Sequence, residues 1–414
     1  MTAARLDYGK PLTQDFGFDG GEWRRARRTR QSAISRVVPL RRRAPPIVSG
    51  CGSVLRLHFR RGRPDELETL SPAYFALVMA TGIVAIAADL HGVPAAPTVF
   101  FWSNVVFLVG LIAATFARAL RYPTAFAADM SSHSRGVGFF TAVAALAVFG
   151  DQLVLQMHAV RVAVFFCAAA GALLPVVLYG ELAALTVRQD KPSLADGLNG
   201  AWLVSVVAVQ SVSILTVSVL PSGVPADLQQ LLMFVALVLW LAGGAMYLWL
   251  ITLIFYRTTF LPMAPAAFTP PYWINMGAVA ISTLAGAALL DRSALSPIVM
   301  QLAPFVMGLT LLFWAIASFW IPLLVVLEVW SHLIRGLPFA YSPLSWGGVF
   351  PLGMYSVCTY RLARTLDAPF LAPVSEAFMA VALVAWIAAF TGLVHSRLHL
   401  PDPSRSAAED GDGR

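Results

Sequence analysis

Phe350 and Pro351 stand together in the stretch SWGGVFPLGMYS, with Gly347, Gly348 and Gly353 around them. A phenyl ring among glycines has room on both sides. The proline behind it removes a backbone donor and bends a helix there. Two readings fit: an ordinary packed aromatic, or a plug that closes a narrow, poorly solvated constriction by occlusion and dewetting. Few other side chains offer chemistry. Asp151, Glu181, Glu328 and His332 lie near the ends of apolar stretches, and ionisable groups in such a setting are candidate functional positions. Glu181 and Glu328 are the candidates for proton coupling. The competing reading is that they snorkel or pair with loop arginines. Asp151 and His158 flank a short loop and form a candidate vestibule pair. His395 and His399 are spaced i, i+4 but supply only two ligands, so no metal site is expected. Walker phosphate loops, HExxH and GxSxG are all missing from the sequence. Direct ATP drive and a cofactor are therefore not expected. An enzyme acting inside a membrane is the reading of another class, and no cluster of His, Cys or acidic residues at one depth supports it.

What must position these residues is a set of ten apolar stretches, at about 72–90, 98–117, 136–156, 160–186, 199–219, 228–256, 272–290, 303–331, 342–363 and 371–394. Hydrophobic residues make up 58% of the chain and charged residues 12%, with a mean hydropathy of +0.72; soluble domains carry about 25% charge. Each stretch is long enough to cross about 30 Å of hydrocarbon as a helix, and helices satisfy their own backbone polar groups in lipid. The fold class is therefore all-α and integral to a membrane. The stretches come in pairs. First members start near Pro72, Gly136, Asn199, Tyr272 and Ser342, at intervals of 64, 63, 73 and 70 residues. A fixed period marks a repeated supersecondary unit, here a helical hairpin. Five copies in one orientation predict a ring about an axis along the membrane normal.

The net charge of +7 is uneven: residues 1–70 hold 15 of the 29 Lys and Arg, including Arg24, Arg25, Arg27, Arg28, Arg41, Arg42 and Arg43. This segment reads as a disordered basic tail drawn to anionic headgroups rather than to nucleic acid. A misassigned start codon is a further reading. Residues 71–396 form the membrane domain and 397–414 a second disordered tail. Loops on the side of the N-terminus carry Arg118, Arg121, Arg135, Arg188, Lys191, Arg257 and Arg335; the opposite loops carry Arg161, Arg292, Arg361 and Arg364. The bias predicts both termini on the cytoplasmic side. Cys51, Cys167 and Cys358 form no CxxC and read as small apolar fillers.

The odd-numbered stretches differ from the even ones. They place small and hydroxyl residues at helical spacing: Gly82; Gly138 and Thr141; Ser205; Asn275, Ser282 and Gly286; Gly347 and Gly353. Even stretches, such as Leu231 to Trp240, are bulkier. Small faces permit close helix packing. Their recurrence in all five odd stretches points further, to the wall of a pathway lined by Gly82, Thr141, Ser205, Asn275, Ser282, Gly347 and Gly353. No Lys or Arg lies deep in an odd stretch, so a nearly neutral wall is expected. Hydroxyls, amides and backbone dipoles would then meet an anion without trapping it.

Three segments, SPAYFALVMATGIVA (71–85), YWINMGAVAIST (272–283) and SWGGVFPLGMYS (345–356), resemble the tellurite-resistance/C4-dicarboxylate transporter family, whose relatives include fungal malate and sulfite transporters and plant slow anion channels. The resemblance spans about residues 70–396. It implies ten helices in five hairpins, odd helices inside around a central pore, and a homotrimer with one pore per subunit. It also implies a gating phenylalanine directly before a Pro or Gly on the ninth helix, which here is Phe350. The cargo so implied is a small anion or C4-dicarboxylate, carried passively or, alternatively, by a proton-coupled dicarboxylate or sulfite exporter. An inner (plasma) membrane location and contact with lipids accompany that reading.

Overall fold

The computed structural model describes residues 66–220, 225–338 and 340–398. Nearly all of the basic tail, including Cys51, and most of the C-terminal tail with His399 lie outside the described residues. Ten long helices run as α1 (Ala76–Leu90), α2 (Ala96–Arg121), α3 (Phe140–Leu155), α4 (Val160–Val187), α5 (Val204–Ser218), α6 (Ala226–Phe260), α7 (Ile274–Asp291), α8 (Ala303–Glu328), α9 (Trp346–Thr365) and α10 (Ala372–Leu398). The described residues contain no strand.

Among them, nine helices have the length and apolarity to cross a membrane. The exception is α9, whose Ser356, Thr359, Tyr360, Arg361 and Arg364 dilute its apolar residues. It tolerates them because it is sheltered: 14 of its 20 residues are buried.

The five hairpins close into two layers. α1 packs on α3, α3 on α5, α5 on α7, α7 on α9, and α9 returns to α1, so the odd helices form a closed inner ring. Each even helix lies outside against its own hairpin partner and also touches the next inner helix of the ring. The four inner helices other than α9 bury 78–89% of their most apolar stretch, the five outer ones only 11–39%. The exposed apolar side chains, Val106, Phe116, Phe165, Trp249, Phe319 and Val384 among them, sit on the outer layer.

A local device recurs with the hairpin. Each inner helix is preceded by a 3-10 turn: Pro72–Phe75, Gly136–Phe139, Gly200–Leu203, Pro270–Trp273 and Pro343–Ser345. Proline suits three of these starts because its missing N–H would be unpaired in a first turn anyway. Ser71 and Asn199 cap two of them by accepting from Ala73 N and Ala201 N, at 3.3 and 2.9 Å, and Ser342 forms a capping box with Ser345. Such caps satisfy otherwise orphaned donors. Short helices Pro123–Met130, Leu194–Gly197 and Pro297–Gln301 occupy connections that hydropathy leaves blank.

Indole N–H groups tie the outer layer to the inner. Trp240 of α6 donates to Ser282 O (2.8 Å), Trp314 of α8 to Thr359 Oγ1 (3.0 Å) and Trp386 of α10 to Thr81 Oγ1 (2.9 Å). Trp320 of α8 reaches Tyr247 Oη at 3.0 Å, and that hydroxyl donates to Asn275 O. In lipid, where the apolar effect does not drive helix association, such bonds and close packing hold helices together.

Candidate functional site

Cavities lie at both ends of the inner ring. At the C-terminal ends of the inner helices a cavity of about 150 Å³ receives residues from all five: Ile83 of α1, Asp151 of α3, Ser211 and Ser218 of α5, Asp291 of α7, and Arg361 of α9. Its lower wall is apolar, with Ile83, Val148, Ile281 and Met354. At the opposite end two cavities of about 800 and 350 Å³ share Ser134 and Leu344, and between them they touch the segments leading into all five inner helices.

Phe350 lies between these ends. On α9 the cavity is lined by Met354, Val357 and Arg361, and Phe350 is four residues before Met354. It therefore continues the cavity-facing stripe one turn deeper. Only 2% of its surface is exposed. Beside it the ring is tight. A Cβ at Gly277, four residues before cavity-lining Ile281, would lie 2.8 Å from Pro351 Cγ. A Cβ at Gly353 would lie 2.9 Å from Ile83 Cγ2. Neighbouring helices thus occupy the space that the sequence assigns to the ring: Gly353 admits α1, while Gly347 and Gly348 face the Pro270–Pro271 turn.

The other residues expected on the wall are placed as follows. Gly82 faces Val148, Gln152 and Asn104, where a close approach of α1 to α2 and α3 leaves no room for a methyl group. Thr141 donates to Pro72 O and Gly138 O, at 3.0 and 2.6 Å. Ser205 donates to Trp202 O and Ser282 to Ala278 O, both at 2.7 Å. Their hydroxyl protons are committed to backbone carbonyls, the local bonding open to Ser and Thr in helices. Asn275 is buried, and its Oδ1 has no hydrogen-bond partner among the described residues. None of the seven lines the C-terminal cavity. Thr141 and Gly347 do share its stripes, being seven residues before Val148 and Met354 respectively.

Glu181 and Glu328 occupy outer helices. The Glu181 carboxylate is buried against Gly136, in the space a Cβ there would take, and its Oε1 has no partner among the described residues. Glu328 accepts from Trp273 Nε1 at 2.8 Å and faces His332 Nε2 at 3.3 Å. It thus binds the start of α7 and its own π-helical extension (Val329–Ile334) rather than a loop arginine. Among the described residues no metal-binding cluster of His, Cys, Asp and Glu occurs.

The cavity wall differs from the nearly neutral one expected. Asp151, Asp291, Arg292 and Arg361 all line the C-terminal cavity. Arg361 looks like a loop residue because it is a cation near the end of an apolar stretch, but α9 continues to Thr365 and holds it within the ring. The N-terminal mouth carries cations too. Arg135 and Arg118 flank Asp129 at 2.6 and 2.8 Å. Arg257 is 7% exposed and bonds Ala195 O and the Tyr272 hydroxyl. No ion pair holds Arg257 among the described residues.

A ring of helices with a buried apolar interior and charged residues in the cavities at its ends suits an ion or small polar solute. The family description voltage-dependent anion channel matches residues 69–394, which spans every inner and nearly every outer helix. The chain belongs to this family. Among similar proteins, an uncharacterized membrane protein of Mycobacterium tuberculosis is 37% identical over 144 residues, covering 35% of this chain and 73% of that protein. Two uncharacterized transporters of Methanocaldococcus jannaschii are 21% and 23% identical over 305 and 308 residues, each covering 72% of this chain and 86% and 85% of the relatives. As a member of the voltage-dependent anion channel family, the chain is a multi-pass membrane protein of anion transport, and its family consists of channels and transporters rather than enzymes.

Proposed function

We propose that the chain conducts small anions or C4-dicarboxylates such as malate down their gradients, along the axis of the inner ring, with Phe350 as the gate. The observation that carries this reading is the position of Phe350 one turn below a cavity to which all five inner helices contribute. An apolar ring filling a constriction excludes water and so an ion's hydration shell, and its displacement opens the path. Pro351 leaves one carbonyl of α9 without its helical donor, a weak point at which the helix can flex. Of the sequence-expected wall residues, Thr141, Ser205 and Ser282 turn their hydroxyl donors to backbone carbonyls. That favours weak, multi-site contact over tight capture.

Further parts of the reading follow the positive-inside bias: termini on the cytoplasmic side of the plasma membrane, so the cationic N-terminal mouth faces the cytoplasm. The apolar outer layer meets lipid and, in a homotrimer, neighbouring subunits. A proton-coupled carrier is the second reading, favoured by the buried carboxylates. The test is a screen of anions for flux into liposomes holding the protein, with and without a pH gradient. Flux of malate or chloride without a pH gradient supports a conduit. Flux that appears only with the gradient supports the carrier, and flux of neither kind overturns both.

A further inference from the structure

We infer that Asp151 is a proton-binding site in the outer mouth of the pathway, and that its charge state sets whether anions enter. The inference rests on the pathway reading above but not on Phe350.

Asp151 lies on α3 with 7% of its surface exposed, and one of its carboxylate oxygens has no hydrogen-bond partner among the described residues. That oxygen belongs to a side chain lining the axial cavity. A buried carboxylate without a full set of partners is costly in its charged form unless it acquires a proton or a cation. Glu181, also buried, does not line this cavity, and Glu328 is occupied by Trp273 and His332. Asp151 is therefore the deeply buried carboxylate that a permeating anion would meet.

The groups around it settle the sign. Across the cavity stands Arg361 of α9, and the two are not in ion-pair contact among the described residues. From α5 come Ser211 and Ser218, and from the end of α7 come Asp291 and the following Arg292. From α4 comes the Cys167 thiol, close enough to sense the Asp151 charge. α1 contributes only apolar Ile83 and Ile86, and α2 keeps its Arg118 and Arg121 at the far end. His158 and Arg161 follow α3 at the same end of the molecule. With Asp151 ionised, the two carboxylates and two guanidiniums lining the cavity cancel. With Asp151 protonated, one positive charge is left over, deepest at Arg361. A mouth with low-dielectric walls focuses that difference on an entering anion. The proton comes from water in the mouth and returns to it. No other co-reactant is needed. Arg361 is the anion's ligand, and ionised Asp151 competes with the anion for it.

The experiment uses the full chain in liposomes, with chloride and malate flux followed from pH 8 to pH 5. Wild type, Asp151→Asn, Asp151→Glu and Phe350→Ala are compared, each checked for the wild-type elution profile. Flux through the wild type should rise as pH falls. Asp151→Asn should be high at every pH, about tenfold above wild type at pH 8 (a tenfold change is ~1.4 kcal/mol). Asp151→Glu should keep a pH response. A wild-type flux flat with pH overturns the inference, as does an Asp151→Asn variant with the wild-type profile. Should Asp151→Asn not fold, the wild-type and Asp151→Glu profiles still decide it. Phe350→Ala separates this inference from the gate: an unchanged Phe350→Ala flux removes the gate, and a surviving Asp151 pH response leaves this site standing.

Discussion

Inner and outer helices treat the same residue type in opposite ways, and glycine shows it. On inner helices Gly82, Gly150, Gly277 and Gly353 stand where a Cβ would come within 2.6 to 2.9 Å of a neighbour. On outer helices Gly110, Gly171 and Gly308 would meet nothing within 4 Å. The first group exists for close approach across the ring, and the second is merely tolerated. α6 falls between: its Gly243 and Gly244 press on Gln210 and Phe313, and it is the most buried outer helix. The outer helices are the more apolar ones, but it is the placement of small residues that shows which helix faces pack closely.

The largest effect that sharpens this contrast is on the inner layer. Gly353→Val should destabilise the protein by about 1–3 kcal/mol, the usual cost of overpacking, read as a lower midpoint of thermal unfolding in detergent. A midpoint equal to that of the parent would show that α1 and α9 do not meet as described. Gly171→Ala should act oppositely, raising stability by up to about 1 kcal/mol because alanine is the better helix former. A loss there as large as that of Gly353→Val would break the comparison.

Between the layers, Trp386→Phe removes the bond to buried Thr81 Oγ1 and should cost about 0.6 kcal/mol, the average for such bonds in a membrane protein. The Thr81→Ala variant should then make the second change nearly silent. The smallest effect is expected at Glu328→Gln. The amide keeps an acceptor for Trp273 Nε1, and partly exposed pairs such as Glu328–His332 contribute about 0–1 kcal/mol. Anion flux should stay within about twofold of the parent. Loss of a pH-driven component alone would return Glu328 to the coupling role.

Much of this architecture was legible in the residues. The hairpin period and the small-residue faces of the odd stretches are local, repeated signals, and both follow from helix geometry. Phe350 stood out because bulk beside Pro351 and among glycines is rare. What small residues at a helix face leave open is which neighbour they admit. Gly82 and Ser282 suit a pore wall and a helix contact alike, and the ring closure, a long-range fact, places them at contacts. Asp151 stood out as ionisable, but its place in a cavity depends on four other helices. Arg361 was hidden by the polar composition of α9, which only burial by its neighbours makes compatible with a membrane.

The most direct measurement is anion conductance of Phe350→Ala against the parent in the same liposomes, with unfolding followed alongside. The ring is expected to close the axis, so its removal should raise conductance and weaken discrimination between anions. The stability cost should stay below the ~3–5 kcal/mol of a packed core Phe→Ala. Conductance no higher than the parent, with a core-sized loss of stability, would contradict the account: Phe350 would be packing, and the inner ring would lack the gate assigned to it.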